Sequence, residues 1–471
     1  MKMKERISNL ICAGWLLAGT ALGQSPVIMT VDTQLPGAAI PDDFAGLSFE
    51  MQYVLPGTNG RYFFSPKNRP LIATFKTLGI KNLRVGGNTA DRPGVSVPVP
   101  ADADSLFAFA KAAGVKVIYT LRLRQGNAED VVPIAQYIEQ HYRAQLACFA
   151  IGNEPDVFTK EYSVYLDEWK KYAAAITAAA PGAKFCGPCA TPTRVAWSRQ
   201  FADDFAKSGL ITYITQHDYP GGDSRRATNA VAARDKMLSP AWLEHYEKFY
   251  QAFAAAAVSN SLPYRYDEAN SLYDGGAVDV SDTFASALWG LDFLHWWAAH
   301  GADGVNFHTG DKVAARDMNK PCRYAVFWTA DRGYNVHPIG YGLKAFELGG
   351  HGQVLPLTIS DPASLDLTAY AVLGAGRELS VTILNKEHGA EGRSADLTIN
   401  AAGISGRGKV IFLRAPDGDV ATKTGLTLGG TPIADNGSWK GKWTSFKEEQ
   451  DDQCQVIVPA ASAAVVKLRL K

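Results

Sequence analysis

The sequence predicts an α/β fold, a (β/α)8 TIM barrel followed by a C-terminal antiparallel β-sandwich domain. Three observations carry that prediction. Between about residue 40 and residue 310, eight short apolar runs recur, several of them separated by long amphipathic segments. Repeated strand–helix units imply a parallel sheet, and eight of them imply a sheet closed on itself. After about residue 350 the pattern becomes apolar–polar alternation broken by Gly, Asn and Asp, with no helix-length segment. The length of 471 residues suits one large domain and a smaller one, with ample core and no need of disulfides.

Residues 1–23 read as an export signal. Lys2, Lys4 and Arg6 supply positive charge, an apolar stretch runs from Leu10 to Leu22, and "ALG" at 21–23 forms a cleavage site before Gln24. That stretch is too short to span a membrane, and no later segment is long and apolar enough. The chain is therefore expected to be secreted or periplasmic, with no membrane partner. Residues 24–40 hold "PVIMTVDTQ" (26–34), a strand that precedes the barrel and is expected to join the sandwich.

The barrel is placed at 41–345. Its strands are "FAGLSFE" (44–50), "IKNLRVGG" (80–87), "VKVIYTLRL" (115–123), "LACFAIGNE" (146–154), "AKFCGPCA" (183–190), "ITYITQHDY" (211–219), "PYRYDEAN" (263–270) and "ADGVNFHTG" (302–310). Between strands four and five, residues 159–181 put Tyr162, Leu166, Trp169, Ala173 and Ile176 on one helical face. Residues 281–300 form a second helix with Ser281 as its N-cap. The sandwich is placed at 346–471, with strands at 377–385, 394–401, 409–415, 454–460 and 462–470.

The charge is balanced, 47 Lys+Arg against 47 Asp+Glu, and no basic tract stands out, which argues against nucleic acid as a partner. Five cysteines follow the leader, an odd number that argues against a full disulfide framework.

Catalytic groups of such barrels lie at the C-terminal ends of the strands. Those ends supply Glu50, Arg84, Asn88, Asn153, Glu154, His217, Asp218, Tyr219, Asp267, Glu268, Asn270, Tyr273, Asn306 and His308. Glu154 and Glu268 are far apart in sequence, but strands four and seven face each other across the barrel mouth. Two facing carboxylates are what glycoside hydrolysis requires: one protonates the leaving oxygen, and the other attacks the anomeric carbon or activates water. Asn153 is placed to hydrogen-bond the sugar 2-hydroxyl.

"GNEPD" (152–156), "LRVGGNTAD" (83–91) and "DEANSLYDGGAVDVSDTFASALWGLDFL" (267–294) resemble glycoside hydrolase family 79, which includes heparanase and microbial β-glucuronidases. The resemblance covers essentially the whole mature chain. It implies retaining exo-β-glucuronidase action with Glu154 as acid/base and Glu268 as nucleophile. It implies that Tyr273 and the N–H groups of Asp274 and Gly275 hold the uronate carboxylate, and that Glu50 and Asn88 bind sugar hydroxyls. His217 and Tyr219 fall where the family lines its pocket. It implies a glucuronide, free or in a saccharide, as substrate, and no cofactor or metal. Asp274 stands where heparanase-like sequences usually carry Gly, which brings an extra anion to a carboxylate site.

Other readings attach to the same residues. Within the clan, an endo-acting heparanase-like enzyme or a β-xylosidase uses the same pair of glutamates. A non-catalytic carbohydrate-binding protein needs neither. "CGPC" (186–189) has the spacing of a thiol redox site, but it lies in a barrel strand with no helix starting from its first cysteine. His217 and His308 have no metal-ligand spacing around them. Tyr334 and Trp328, after strand eight, are candidates for sugar stacking.

Overall fold

The computed structural model describes residues 27–313, 320–447 and 452–471, so the predicted leader lies outside the described residues. Its barrel strands are Ala45–Glu50, Asn82–Gly86, Lys116–Leu121, Leu146–Ile151, Phe185–Ala190, Ile211–Asp218, Tyr264–Ala269 and Gly304–His308. They pair in chain order, all parallel, and the eighth closes on the first from Ala45↔Val305 to Ser48↔His308. Helices cover the outside, so both faces of most strands are buried and the strand sequences read as continuous apolar runs.

The barrel interior is filled in layers. At the bottom, Arg265 donates to Asn306 Oδ1 and to the carbonyls of Asp43, Phe44 and Asp303. Above it, Ile118, Cys148, Ala150, Cys186 and Cys189 form an apolar plug. Arg84 lies toward the mouth, among the carboxylates described below.

Helix Tyr162–Ala179 buries Tyr165, Trp169, Tyr172, Ala173 and Ile176. The predicted face is therefore rotated at its start. Tyr165 stacks on Trp197 at 5.5 Å and takes the core position, while Tyr162 stays at the edge with its hydroxyl on Asp204. Helix Phe284–Ala299 is buried nearly all round because it lies between barrel and sandwich. Its N-cap is Thr283, not Ser281. Ser281 instead braces a loop near the site.

The sandwich has two sheets. The smaller runs Leu357–Ser360, Val27–Val31, Ala395–Ala401, Gln453–Val458. The larger runs Gln353–Leu355, Leu367–Leu373, Glu378–Asn385, Ser462–Arg469, Arg407–Arg414, Thr427–Leu428, with Thr444–Lys447 also on Arg407–Arg414. The N-terminal strand enters parallel to Ala395–Ala401, from Val27↔Leu397 to Val31↔Ala401. The other described pairs of the sandwich are antiparallel. Between the sheets lies a core that includes Met29, Val381, Leu397, Ile399 and Val466. The outer face of the larger sheet gives Val372, Leu384, Ile411 and Val465 to the barrel's own core. Helix Pro338–Gly349 packs at this junction, and it runs across the boundary predicted at 345/346.

Candidate active site

The strand register aims the site residues. The ladder between strands six and seven slips at Thr215/His217, and that between seven and eight slips at Tyr266/Ala269. Successive strand residues normally alternate sides, and a local slip re-aims them. Asp267 and Glu268 are neighbours in sequence, yet both face the interior, where each meets Arg84. The slipped register also sets His217 opposite Glu268.

Glu268 is held from several sides. Arg84 Nη1 donates to its Oε2 at 2.6 Å, and the Tyr219 hydroxyl donates to its Oε1 at 2.7 Å. His308 Nδ1 lies 3.6 Å from Oε2, and His217 Nδ1 lies 3.9 Å from Oε1. Burial alone raises a carboxyl's pKa, but the charges of His308, His217 and Arg84 and the Tyr219 hydrogen bond outweigh it and hold Glu268 far below the usual range. Glu268 is thus an anion at any working pH.

Glu154 has the opposite environment. It follows strand four in a left-handed conformation (φ 45°), which costs a non-glycine residue energy. Its N–H donates to the Cys189 carbonyl at 3.0 Å, and its own carbonyl accepts from Val157 N–H at 3.0 Å, which pins the turn. Burial pushes the Glu154 pKa up, the nearby Glu268 charge adds to this, and the 3.0 Å contact of Oε1 with His217 Nδ1 opposes it. One carboxylate oxygen of each glutamate and a His217 ring nitrogen all lie within 4.8 Å of one another. The pair therefore combines a carboxyl biased toward holding its proton with one biased toward ionisation, at the close spacing associated with retaining hydrolysis, roughly 5–5.5 Å. By distance alone the three groups could embrace a cation. The Arg84 guanidinium and the Tyr219 hydroxyl already occupy both Glu268 oxygens, and that fixed positive charge opposes a second cation.

Asn153 is positioned by its backbone and by its side chain. Its N–H donates to Asp91 Oδ2 at 2.7 Å, and its Oδ1 accepts from Arg84 Nη2 at 2.6 Å, so its amide nitrogen remains as the outward donor. Asp91 also accepts from Leu123 N–H and Arg124 N–H, tying the loops of strands two, three and four together. Glu50 accepts from the N–H of Asn88 at 3.2 Å and from both the N–H and hydroxyl of Thr89 at 2.7 Å.

These groups open into a cavity of about 600 Å³ lined by Glu50, Asn88, Glu154, Tyr219, Glu268, Tyr273, Asp274, Gly275, His308 and Tyr324, with Thr191 to Thr193, Val157, Val313, Arg225 and Lys320 at its sides. Asn153 borders an adjoining pocket of about 130 Å³ that also reaches Asn88 and Glu154. Tyr273 is 40% exposed at the rim. Asp274 and Gly275 both have positive φ (62° and 82°), and their N–H groups donate to no partner among the described residues. The Asp274 carboxylate lies 4.0 Å from Arg225 Nε and 3.9 Å from Lys320 Nζ, so its charge is matched by two cations.

Of the residues predicted for the site, the structure brings Glu50, Asn88, Asn153, Glu154, Tyr219, Glu268, Tyr273, Asp274 and Gly275 around this space. His217 is fully buried behind Glu154 and is not part of the lining of this cavity. Tyr334 is not a sugar platform. It is buried against Phe63 and Phe327, and its hydroxyl accepts from Asn68 Nδ2 at 2.6 Å. Trp328 is likewise turned inward, with its indole N–H on the Cys322 carbonyl and its ring on His337. Cys186 and Cys189 are fully buried in the barrel plug, all five described cysteines are free, and both thiols are pushed well above their ordinary pKa, which leaves them inert. Arg84 and His308 are among the strand-end groups expected from sequence, whereas Tyr324, Arg225 and Lys320 are additions of the structure. A buried arginine within strand "NLRVG" is the sequence sign of Arg84.

Residues 369–465 match the model of the glycosyl hydrolase family 79 C-terminal beta domain. A β-glucuronidase of Aspergillus niger is 24% identical over 307 residues, covering 57% of this chain and 53% of that protein. A β-glucuronidase of Neurospora crassa is 24% identical over 206 residues, 38% of this chain and 36% of that one. The chain thus spans about half the length, or less, of the curated relatives it matches. Among solved structures, a 4-O-α-L-rhamnosyl-β-D-glucuronidase of Fusarium oxysporum superposes with a TM-score of 0.72 at 18% identity, covering 93% of this chain and 100% of that one. A family 51 arabinofuranosidase of Xanthomonas axonopodis gives 0.68 at 15% identity, covering 94% and 100%. These two likenesses bear on the fold. The family match in its sandwich and the glucuronidase relatives of its sequence together liken the chain to glycoside hydrolase family 79.

Proposed function

We propose that the chain is a retaining β-glucuronidase that removes terminal β-linked glucuronate. The observation that carries this reading is the pair Glu154 and Glu268, with carboxylate oxygens within 4.8 Å of each other and pKa values pushed in opposite directions. Glu268 attacks the anomeric carbon while Glu154 gives its proton to the glycosidic oxygen. The carbon–oxygen bond breaks, the aglycone leaves as an alcohol, and a glycosyl ester forms on Glu268. Water then loses a proton to Glu154 and attacks the same carbon, and Glu268 leaves as a carboxylate. Asn153 donates to the 2-hydroxyl, and Glu50 and Asn88 serve the other hydroxyls. Tyr273 and the free N–H groups of Asp274 and Gly275 accept the sugar carboxylate as a small anion nest. Arg225 and Lys320 offset the Asp274 anion, so the nest keeps its affinity for a carboxylate.

The test is hydrolysis of 4-nitrophenyl β-glucuronide beside the β-glucoside, β-xyloside and β-galactoside, with the first-formed anomer read by NMR. Turnover of the glucuronide with β-glucuronic acid released first is expected. Preference for a neutral glycoside would overturn the substrate but keep the two-glutamate chemistry. Cleavage of heparan sulfate alone would mean endo action, and binding without turnover would mean a carbohydrate-binding protein. Export is part of the same proposal, and a mature protein beginning at Gln24 is its expected signature. No helix among the described residues is long and apolar enough to cross a membrane.

A further inference from the structure

Behind the two glutamates, four buried polar atoms have no hydrogen-bond partner among the described residues: Arg84 Nε, His217 Nε2 and both carboxylate oxygens of Asp267. They converge on one spot. Asp267 Oδ2 lies 3.7 Å from Arg84 Nε and 3.7 Å from His217 Nε2, and all three side chains are fully buried. Burying a carboxylate without a close protein hydrogen bond is costly, so its placement between two cationic groups calls for a reason.

We propose that Asp267 is a positioning residue that acts on both glutamates, through His217 on Glu154 and through Arg84 on Glu268. The inference rests on the two-glutamate reading above and extends it one layer inward.

The ring of His217 makes the argument. Its Nδ1 lies 3.0 Å from Glu154 Oε1, and its Nε2 faces Asp267. A neutral imidazole has one N–H, so one of its nitrogens would turn a lone pair toward a carboxyl group. An imidazolium donates to both. The Asp267 charge holds a proton on Nε2 and draws a second one onto the ring, which favours His217 as the doubly protonated form with its Nδ1–H on the acid/base. Arg84 is drawn in the same way. Its Nε is turned to Asp267, which leaves Nη1 for Glu268 and Nη2 for Asn153.

The charged and titratable groups around this cluster are few. Asp267 faces Arg84 of strand two, His217 of strand six and the Cys189 thiol of strand five, with Cys186 and Tyr165 farther off. His217 faces Glu154, Glu268 and Asp267, and Arg84 faces Glu268, Asp267 and Cys189. Against burial, which disfavours its charge, the carboxylates of Glu268 and Asp267 and the contact with Glu154 raise the His217 pKa well above the ordinary histidine range. Removing an anion lowers the pKa of every proton-binding group near it. Without the Asp267 charge, the Glu154–His217 pair releases its proton at lower pH.

The test is Asp267→Asn, which keeps the shape and removes the charge. The basic limb of its kcat/KM profile should move to lower pH by about one unit or more, as expected for loss of a charge at this range. At neutral pH kcat should fall by about tenfold or more while KM changes little, because the defect is in proton donation and not in binding. Asp267→Glu should bring the limb part of the way back. A folded Asp267→Asn enzyme whose profile overlays that of the wild type overturns the proposal. Nitrogen NMR of the wild-type protein decides it independently of any variant. Both His217 ring nitrogens should be protonated at neutral pH, and one unprotonated nitrogen overturns it. A wild-type protein that hydrolyses no glycoside would remove the functional reading while leaving this measurement in force.

Discussion

Glu268 sits where two donors converge, the Arg84 guanidinium and the Tyr219 hydroxyl. Glu268→Ala empties that spot without moving the donors, and the gap suits a small anion. Turnover of a β-glucuronide should be abolished, and azide should restore release of the aglycone by attacking from the vacated face. The sugar product should then be the azide of inverted, α configuration, readable by NMR, and a β-azide would transfer the nucleophile's role away from Glu268. The variant leaves Arg84 buried with one partner fewer, a loss that typically costs about 3–5 kcal/mol, so its fold must be checked beside its activity. The two glutamates were legible in sequence because each ends an apolar run inside a polar motif. Arg84 and Asp267 were visible as charges in strands, but their partners come from other strands, and that information is in the register. Tyr334 shows the converse: an aromatic after strand eight suits a sugar platform, and only the packing of Phe63 and Phe327 reveals it as core.

At the scale of elements, the loop after strand seven is built to hold a shape. The Ser281 hydroxyl accepts from Ala277 N–H and from Ser271, and Gly275 accepts at its carbonyl from the N–H of Arg323. Gly276 has φ 80°, and a Cβ there would come within 2.7 Å of Ser281 Cβ and 2.9 Å of the Tyr324 backbone nitrogen. Neither neighbour is the far end of a flexible side chain, so Gly276→Ala must shift the turn that presents the Asp274 and Gly275 N–H groups. KM for a glucuronide should rise by roughly tenfold, about 1.4 kcal/mol, with a smaller change in kcat. An unchanged KM would separate this loop from carboxylate binding. The sequence placed Ser281 as a helix cap because Ser before an apolar stretch is the usual start signal. The start lies two residues later because the Ser281 hydroxyl is already engaged by the loop. The eight barrel strands were legible as apolar runs, since burial on both faces imposes that pattern. Gln353–Leu355 and Leu357–Ser360 were not, because short edge strands half open to solvent carry too few alternations to stand out.

The whole molecule depends on the apolar seam between barrel and sandwich, and a histidine is buried in it. His295 of helix Phe284–Ala299 stacks on Tyr370 of the sandwich (5.1 Å, 10°) and packs on Phe346 of helix Pro338–Gly349 (4.8 Å). Its Nε2 has no hydrogen-bond partner among the described residues, and burial lowers its pKa to about 3. His337 is lowered to about 4 for the same main reason. In the unfolded chain a histidine binds its proton at about 6.5. Between about 6.5 and those folded values the unfolded state binds more protons, so stability is full above that range and is lost as pH falls through it. Asp303 acts in the opposite sense. Burial raises it to about 6, so the folded state binds its proton first and gains stability as pH falls from there. Other carboxyls that burial raises, Glu154, Asp91 and Asp218 among them, act as Asp303 does, so the share of His295 is read as a difference between variants. His295→Phe, which keeps an aromatic ring between Tyr370 and Phe346, should lose less melting temperature than the wild type between about pH 6.5 and pH 4.5, by several degrees. An equal fall in the variant would place the acid sensitivity elsewhere. A flattened one would show that the seam between the domains sets the lower pH limit of the fold.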